Sequence, residues 1–530
     1  VAWVALALCL LAAAVAAVRW LRVAQREHYL AGSSTRFARR WWTAGPLNLL
    51  LGAVALGTAV ASWWVPAVAL GTAAVVAAGP IGLGVRGRTS PLRWTRRLRT
   101  LAAVSALLAA AAVGLGAAFG VAPVAAAAVA VLVPVIVDAA CLLLTPLESA
   151  LAGRYVGRAA DRLARVRPTV VGITGSYGKT STKGHVAQLL GPGRAVVASP
   201  ASFNNRAGLA RAINESVADG TEVFVAEMGT YGVGEIAELC RWCPPDVAVI
   251  TAIGPVHLER FGSEEEIVRA KSEILAPAGT VVLPVDDHRL AALADRAESA
   301  GKTVRRCSVS DRGVDVCVER AVPAGGATEA GRRGPLFTVY VDGEPVAKDV
   351  PAPAGVQPSN LACALAVALV LGVDARTAAD RIGDLRGADH RLSLARAPSG
   401  VVVVDDTYNS NPSGARVALD AVVAAADGGA DRPDDRARRI AVVTPGMVEL
   451  GPRQADENAR FATEVARRAT DLVVVGRTNS AALRRGAASA ASPIAVHAVR
   501  HRDEAVDWVR RTLGPGDAVL YENDLPDHYP

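Results

Sequence analysis

Lysine is scarce in this chain: five of its 57 basic residues are lysine and the other 52 are arginine. Arginine is the default cation here, so a lysine kept against that background suggests chemistry that a guanidinium cannot replace. Acid is scarce as well, but only in one region. Residues 1–167 hold 17 basic residues against 4 acidic ones, a net of +13, and the remainder of the chain is net −6. The overall charge of +7 is therefore no general basic surface, and it gives no ground for a nucleic-acid partner. Cys240 and Cys243 form one CxxC, yet no second Cys or His pair stands at zinc-ligand spacing, which leaves a pair of helix-end thiols. No internal repeat is visible. With 51% hydrophobic and 20% charged residues over 530 positions, the chain can bury a large core, which excludes a mostly disordered protein.

What is present in the first third is long uncharged sequence, over residues 1–18, 41–85 and 100–137. The second run would be about 68 Å long as helix, roughly two bilayer crossings, with a turn marked by Trp63, Trp64 and Pro66. Five transmembrane spans are expected, near 1–18, 46–63, 65–85, 101–120 and 123–145, so that residues 1–145 form a membrane module. The connections 19–45 and 86–99 carry six Arg each, against Glu27 alone. By the positive-inside bias both face the cytoplasm, and so does everything after residue 146. A competing reading makes residues 1–18 a cleaved signal peptide, but no basic segment precedes the apolar run. Asp138 lies inside the last span, where an acid has either a functional or an anchoring role.

Residues 146–167 read as a connecting helix. From Pro168 onward, short β-branched runs alternate with amphipathic stretches, the rhythm of a parallel sheet covered by helices. Residues 303–350 instead alternate as strands with Gly-rich turns, an antiparallel insertion or edge. After Arg391 the α/β alternation restarts. The expected organisation is a central α/β nucleotide-binding domain over 168–391 and a smaller Rossmann-like α/β domain over 392–530.

The strongest local signal is VVGITGSYGKTSTK, residues 170–183. A strand runs through Gly175, Ser176, Gly178, Lys179, Thr180 and Ser181 into a helix, the layout in which loop amides and a helix N-terminus hold phosphates. Lys179 would reach terminal phosphates and Thr180 would hold Mg²⁺. Glu227 ends a strand on the same sheet edge, a natural place for a Mg²⁺ carboxylate. His257 follows another strand, and Lys271 comes one helix later. Lys179, Lys183 and Lys271 are three of the five lysines. Each of these residues alone is commonplace; the set beside a phosphate loop is not.

In these motifs the sequence resembles the Mur ligases, ATP-dependent amide ligases of peptidoglycan synthesis, and among them the branch that adds D-alanyl-D-alanine to UDP-N-acetylmuramoyl-tripeptide. The resemblance covers about residues 168–520. It runs through GITGSYGKTSTK, SFNNRAGLARAI, AEMGTYGVGEI, ITAIGPVHLERFGSEEEIVRAKSEI, HRLSLARAPSGVVVVDDTYNSNPSG and VVTPGMVELG. It implies ATP and two Mg²⁺ ions as cofactors, with Glu227 on one metal and His257 on the second. It implies a carbamoylated Lys271, Asn360 on the adenine side, Arg391 on phosphate, Asp406 on the ribose or hinge, and Asn204 and Asn205 facing metal or substrate. The expected reaction joins a carboxylate donor to an amino-acid or peptide acceptor through an acyl phosphate, in peptidoglycan or another envelope polymer. A lipid-linked donor and other envelope-synthesis proteins are the partners such an anchored ligase would meet. A poly-γ-glutamate-synthetase-like ligase and a membrane ATPase or scaffold are the alternatives. Three features depart from the family pattern. The usual N-terminal UDP-sugar domain is replaced by the apolar module, the adenine motif reads Gln357-Pro358 before Asn360, and DAVLYENDLPDHYP stands where that branch typically has Lys-Gly-Ser.

Overall fold

The computed structural model describes residues 1–85, 87, 92–201, 203–321, 334–353, 355–386, 392–407, 411–427, 438–525 and 528–529. Two compact units result, one of residues 1–151 with 525–530 and one of residues 152–524.

The first unit is helical: α1 (Ala2–Arg26), α2 (Ser33–Trp42), α3 (Pro46–Ala61), α4 (Ala69–Ala78), α5 (Arg96–Ala118) and, as far as residue 151, α6 (Ala122–Val166), whose remainder belongs to the second unit. Among the described residues, α1, α5 and α6 are long and apolar enough to cross a membrane, and α2 with α3 passes only as a pair bent by 114°. The stretches expected to cross at 46–63 and 65–85 come out short. Helix α3 is about 24 Å long and Pro66–Ala78 about 20 Å, below the ~30 Å of a hydrocarbon core. A physical stop for α4 is visible in its carbonyls. Arg19 donates to the carbonyls of Val76 (3.1 Å), Ala77 (2.6 Å) and Gly79 (2.9 Å), satisfying groups that the helix end leaves open. The expected connecting helix 146–167 is not a separate element either, because α6 continues through Pro134 and Pro146. A proline inside a helix removes one backbone bond and bends it rather than always ending it.

Asp138 is an anchor. From α6 it accepts the amides of Ser34 (3.1 Å) and Thr35 (2.8 Å) and the Thr35 hydroxyl (2.6 Å), capping the open N-terminus of α2. Residues 528–529 belong to the same unit. The Trp41 indole donates to the His528 carbonyl (2.7 Å), and the His528 ring lies 3.1 Å from a Glu27 oxygen.

The second unit holds two sheets. The first comprises β1 (Thr169–Thr174), β2 (Val196–Ala198), β3 (Val223–Glu227), β4 (Val247–Ile250), β5 (Thr280–Pro284), β6 (Thr303–Ser308), β7 (Val316–Arg320), β8 (Leu336–Val341) and β9 (Glu344–Pro351). Their order is β2-β3-β1-β4-β5-β6-β7-β8-β9, parallel as far as β7 and antiparallel beyond. The antiparallel edge expected over 303–350 is thus only β8 and β9 against β7, while β6 and β7 continue the parallel sheet. Its central strands are buried on both faces, as expected of parallel strands covered by helices. One cover is helix Pro358–Val370, in which Leu361 to Ala368 are all buried.

The second sheet comprises β10 (Ser393–Arg396), β11 (Val402–Asp406), β12 (Ile440–Thr444), β13 (Asp471–Val475), β14 (Ala495–Val499) and β15 (Ala518–Glu522). Its order is β10-β11-β15-β12-β13-β14, parallel except for the β10 edge. In both sheets the loops after the carboxyl ends of parallel strands are where ligands bind, because there the flanking helices diverge.

Candidate active site

At the carboxyl end of β1 the chain turns through Gly175 (φ +150°) and Gly178 (φ +78°) into α7 (Lys179–Leu190). Neither glycine can be replaced without a clash. A Cβ on Gly175 would lie 2.0 Å from the Thr251 hydroxyl, and one on Gly178 would lie 2.1 Å from Asn360 Oδ1. No side chain caps α7, so its first-turn amides stay open to an anion. Ser176 does not share that freedom. Its hydroxyl is bonded to the Gly254 carbonyl (3.0 Å) and amide (3.0 Å), which fixes the loop against the segment after β4. Thr251, Tyr177 and Gly254 brace the same loop: the Thr251 hydroxyl donates to the Tyr177 carbonyl, and a Cβ on Gly254 would meet the Tyr177 ring. Nothing in their local sequence marks these three for that role.

Three of the five lysines converge on this loop. Lys179 folds back to donate to the Gly175 carbonyl (2.7 Å). Lys183, one turn further along α7, is 3.1 Å from Glu227 at the end of β3 and also donates to the Ala201 carbonyl. Asn204 donates to the other Glu227 oxygen (3.0 Å). Burial alone would raise the Glu227 carboxyl, but Lys183, Lys179 and Asn204 outweigh it and hold it below the usual range. Asn205 takes another role, since its side-chain oxygen accepts the Gly208 amide (2.9 Å) and caps helix Arg206–Ser216. Thr180 and Ser181 lie half-buried in the first turn of α7.

His257 and Lys271 lie after β4. His257 adopts a left-handed conformation (φ +59°), and its ring meets Tyr231 edge-on at 4.9 Å. Its Nδ1 is bonded to Glu449, which also accepts from Arg260 (2.8 Å). Glu449 lies 192 residues from its partner, so nothing in the sequence around His257 marks it. Burial would raise its carboxyl too, yet His257 and Arg260 pull it down to about 2. Burial lowers the His257 imidazole despite Glu449. Lys271 ends helix Glu264–Ser272 at 4% exposure and donates no hydrogen bond among the described residues. Burial, with the Lys179 charge added, pushes its ammonium well below the usual lysine range.

Asp406 ends β11 and accepts the Leu392 amide (3.2 Å). Arg391, expected on phosphate, lies outside the described residues. Among those described, no group of three or more His, Cys, Asp or Glu side chains converges as a metal cage. The donor set suits Mg²⁺ all the same, since that ion is usually held by one or two carboxylates plus substrate phosphates and water.

A phosphate loop with an open helix end, three convergent lysines and a second α/β sheet define an ATP-dependent ligase class. The Mur ligase middle domain matches residues 173–368 and the Mur ligase glutamate ligase domain matches residues 390–521. The chain belongs to the Mur ligase family, ATP- and Mg²⁺-using ligases of peptidoglycan precursor synthesis. It is 35% identical over 366 residues to the UDP-N-acetylmuramoyl-tripeptide–D-alanyl-D-alanine ligase of Mycobacterium leprae, covering 66% of this chain and 70% of that protein. The enzyme of that name from Mycobacterium bovis is 32% identical over 370 residues, covering 66% and 69%. Among solved structures, MurF from Thermotoga maritima in complex with ADP aligns with a TM-score of 0.58 at 24% identity, covering 70% of this chain and 80% of that one. MurF from Acinetobacter baumannii gives 0.59 at 23%, covering 70% and 77%.

Proposed function

We propose that this protein is a membrane-anchored ligase that joins a carboxylate donor to an amine acceptor through an acyl phosphate. The observation that carries this reading is the buried Lys271, which donates no hydrogen bond among the described residues and feels the charge of Lys179, in the same unit as the Lys183–Glu227–Asn204 cluster. A transport ATPase has no use for such a lysine; a carbamate made there by CO₂ does.

The donor carboxylate attacks the γ-phosphorus of ATP and the bond to ADP breaks, giving an acyl phosphate. The acceptor amine then attacks the acyl carbon, loses a proton, and releases inorganic phosphate as the amide forms. Lys179 and the open amides of α7 hold and neutralise the transferring phosphoryl group. Thr180 and Glu227 would hold one Mg²⁺, and His257 with a carbamoylated Lys271 a second, and such ions would supply charge neutralisation during transfer. Asn360 backs the loop from the adenine side, and Asp406 with Arg391 serves the hinge and nucleotide. Glu449 orients the His257 ring through Nδ1, which would keep Nε2 available to a metal, as a carboxylate behind a ligating histidine does.

The short helices α3 and α4 do not disturb the expected orientation. Whether this pair crosses twice or enters and returns on one side, the number of crossings changes by an even number. Both Arg-rich connections stay cytoplasmic, and so does the ligase unit. The test is ADP release by the full chain with UDP-N-acetylmuramoyl-tripeptide and an amine, with mass detection of the amide. Release that needs both substrates supports the ligase; release independent of both, and unchanged in Lys271→Ala, refutes it.

A further inference from the structure

In the helical unit, α3 and α6 turn small side chains toward the same space: Gly52, Ala55 and Ala59 from α3, and Ala128 and Ala130 from α6. Small residues usually let two membrane helices approach closely. Here the two walls stay apart. A cavity of about 420 Å³ lies between them, bounded also by α1, α2 and the end of α4, and a second of about 520 Å³ continues toward the far end of α3. Leu56 and Val131 line both, so the two form one groove along α3.

The ends of the groove differ. Trp63 and Trp64 line the far end, while Thr35, Arg39 and Thr43 line the end at α2. Both hydroxyls at that end are already engaged, Thr35 on Asp138 (2.6 Å) and Thr43 on the Arg39 carbonyl (2.8 Å). The neighbouring cations are engaged too, Arg36 by Glu27 (2.9 Å) and Arg40 over the Phe37 ring (5.2 Å). Arg39 differs from them: its side chain is exposed and has no hydrogen bond or ion pair among the described residues. The rest of the lining is almost wholly apolar, so the occupant that fits has a hydrocarbon body and one anionic end.

The length of the groove narrows the choice. Arg39 belongs to an Arg-rich connection read as cytoplasmic, which puts it at headgroup level. From there the groove follows α3 for about 24 Å, past the ~15 Å depth of a single leaflet. The tails of an ordinary phospholipid stay within their own leaflet, whereas a chain filling this groove passes the bilayer midplane. We propose that the groove between α3 and α6 binds a single-chain lipid phosphate of the polyprenyl class, with its phosphate on Arg39 and its chain along α3. This rests on the membrane-anchored reading above and gives the helical unit a ligand of its own.

The experiment is equilibrium binding to the full-length protein in detergent micelles, with three probes: a long-chain polyprenyl phosphate, the corresponding polyprenol, and dioleoyl phosphatidylglycerol. Wild-type protein should bind the polyprenyl phosphate about tenfold tighter than the alcohol, the equivalent of one charge-assisted contact, and tighter than phosphatidylglycerol. Arg39→Gln should bring phosphate and alcohol together, and Arg39→Lys, which keeps the charge, should retain a preference. Val131→Trp, at the junction of the two cavities, should weaken binding of both polyprenyl probes. Equal affinities for phosphate and alcohol in wild type, an unchanged ratio in Arg39→Gln, or unchanged binding in Val131→Trp overturns the site. So does phosphatidylglycerol binding as tightly as the polyprenyl phosphate, the result expected of ordinary bilayer lipid only. Should Val131→Trp fail to fold, the variants at the exposed Arg39 still decide the matter. Recovery of the full chain in the aqueous fraction without detergent would instead sink the membrane reading, so the two failures are distinguishable.

Discussion

The ligase unit uses one architectural device twice, with opposite charge. At the carboxyl edge of the first sheet, Lys179, Lys183 and the uncapped end of α7 gather positive potential around a glycine loop. At the corresponding edge of the second sheet, Asp405, Asp406, Glu522 and Asp524 gather acid. The fold sets where a ligand sits, and the residues at the strand ends set its charge.

The comparison can be broken most severely at the basic edge. Lys179→Ala should cut ADP release by about 10²–10³-fold, the scale of losing one preorganised charge at a transition state. Lys179→Arg should not restore it, because a guanidinium is too broad for a loop in which Gly175 and Gly178 have no room for a methyl group. Lys271→Ala should come next, at about 10²-fold, a comparable electrostatic loss. Wild-type turnover should rise with added bicarbonate, and the variant should not respond. Bicarbonate independence in both proteins would remove the carbamate.

Glu449→Gln sharpens the link between the two halves. It should raise the Mg²⁺ concentration needed for half-maximal turnover by about tenfold, as for other groups that orient a ligating histidine. A Mn²⁺ titration followed by electron paramagnetic resonance reads the same shift without turnover.

The smallest effects are on stability, and they have opposite signs at the two acids. Glu449 titrates near 2 in the folded protein against about 4.5 unfolded, so its contribution is complete above about pH 4.5 and is lost as pH falls toward 2. Glu449→Gln should therefore melt below wild type at neutral pH and match it in strong acid. Glu522 titrates near 8 in the folded protein, above its unfolded value, so it opposes folding increasingly as pH rises from about 4.5 to 8. Ligand-free Glu522→Gln should melt above wild type at pH 8.5 and match it at pH 4.

Local motifs made much of this legible. The glycine loop, Glu227 and the three retained lysines stand within short stretches whose strand-to-loop-to-helix order is readable from β-branched runs. Lys302, one of the two lysines not singled out, caps the carbonyls of Ala276 and Ala278 and lies away from the loop. What stayed hidden depends on partners distant in the chain. Nothing near His257 announces Glu449, and nothing near Asp138 announces the amides of Ser34 and Thr35. Asn204 and Asn205 are alike in sequence, yet Asn205 caps the following helix through Oδ1, a use that its position just before a helix also offers. The apolar runs showed where helices are and not where they stop, because the end of α4 is set by Arg19, some 57 residues earlier.

The most direct test of the account follows oxygen. With the donor carboxylate of UDP-N-acetylmuramoyl-tripeptide labelled with ¹⁸O and an amine supplied, an acyl phosphate route transfers one labelled oxygen to each inorganic phosphate released. That transfer should disappear in Lys179→Ala. Phosphate released without label while ADP forms at the wild-type rate would contradict the central claim.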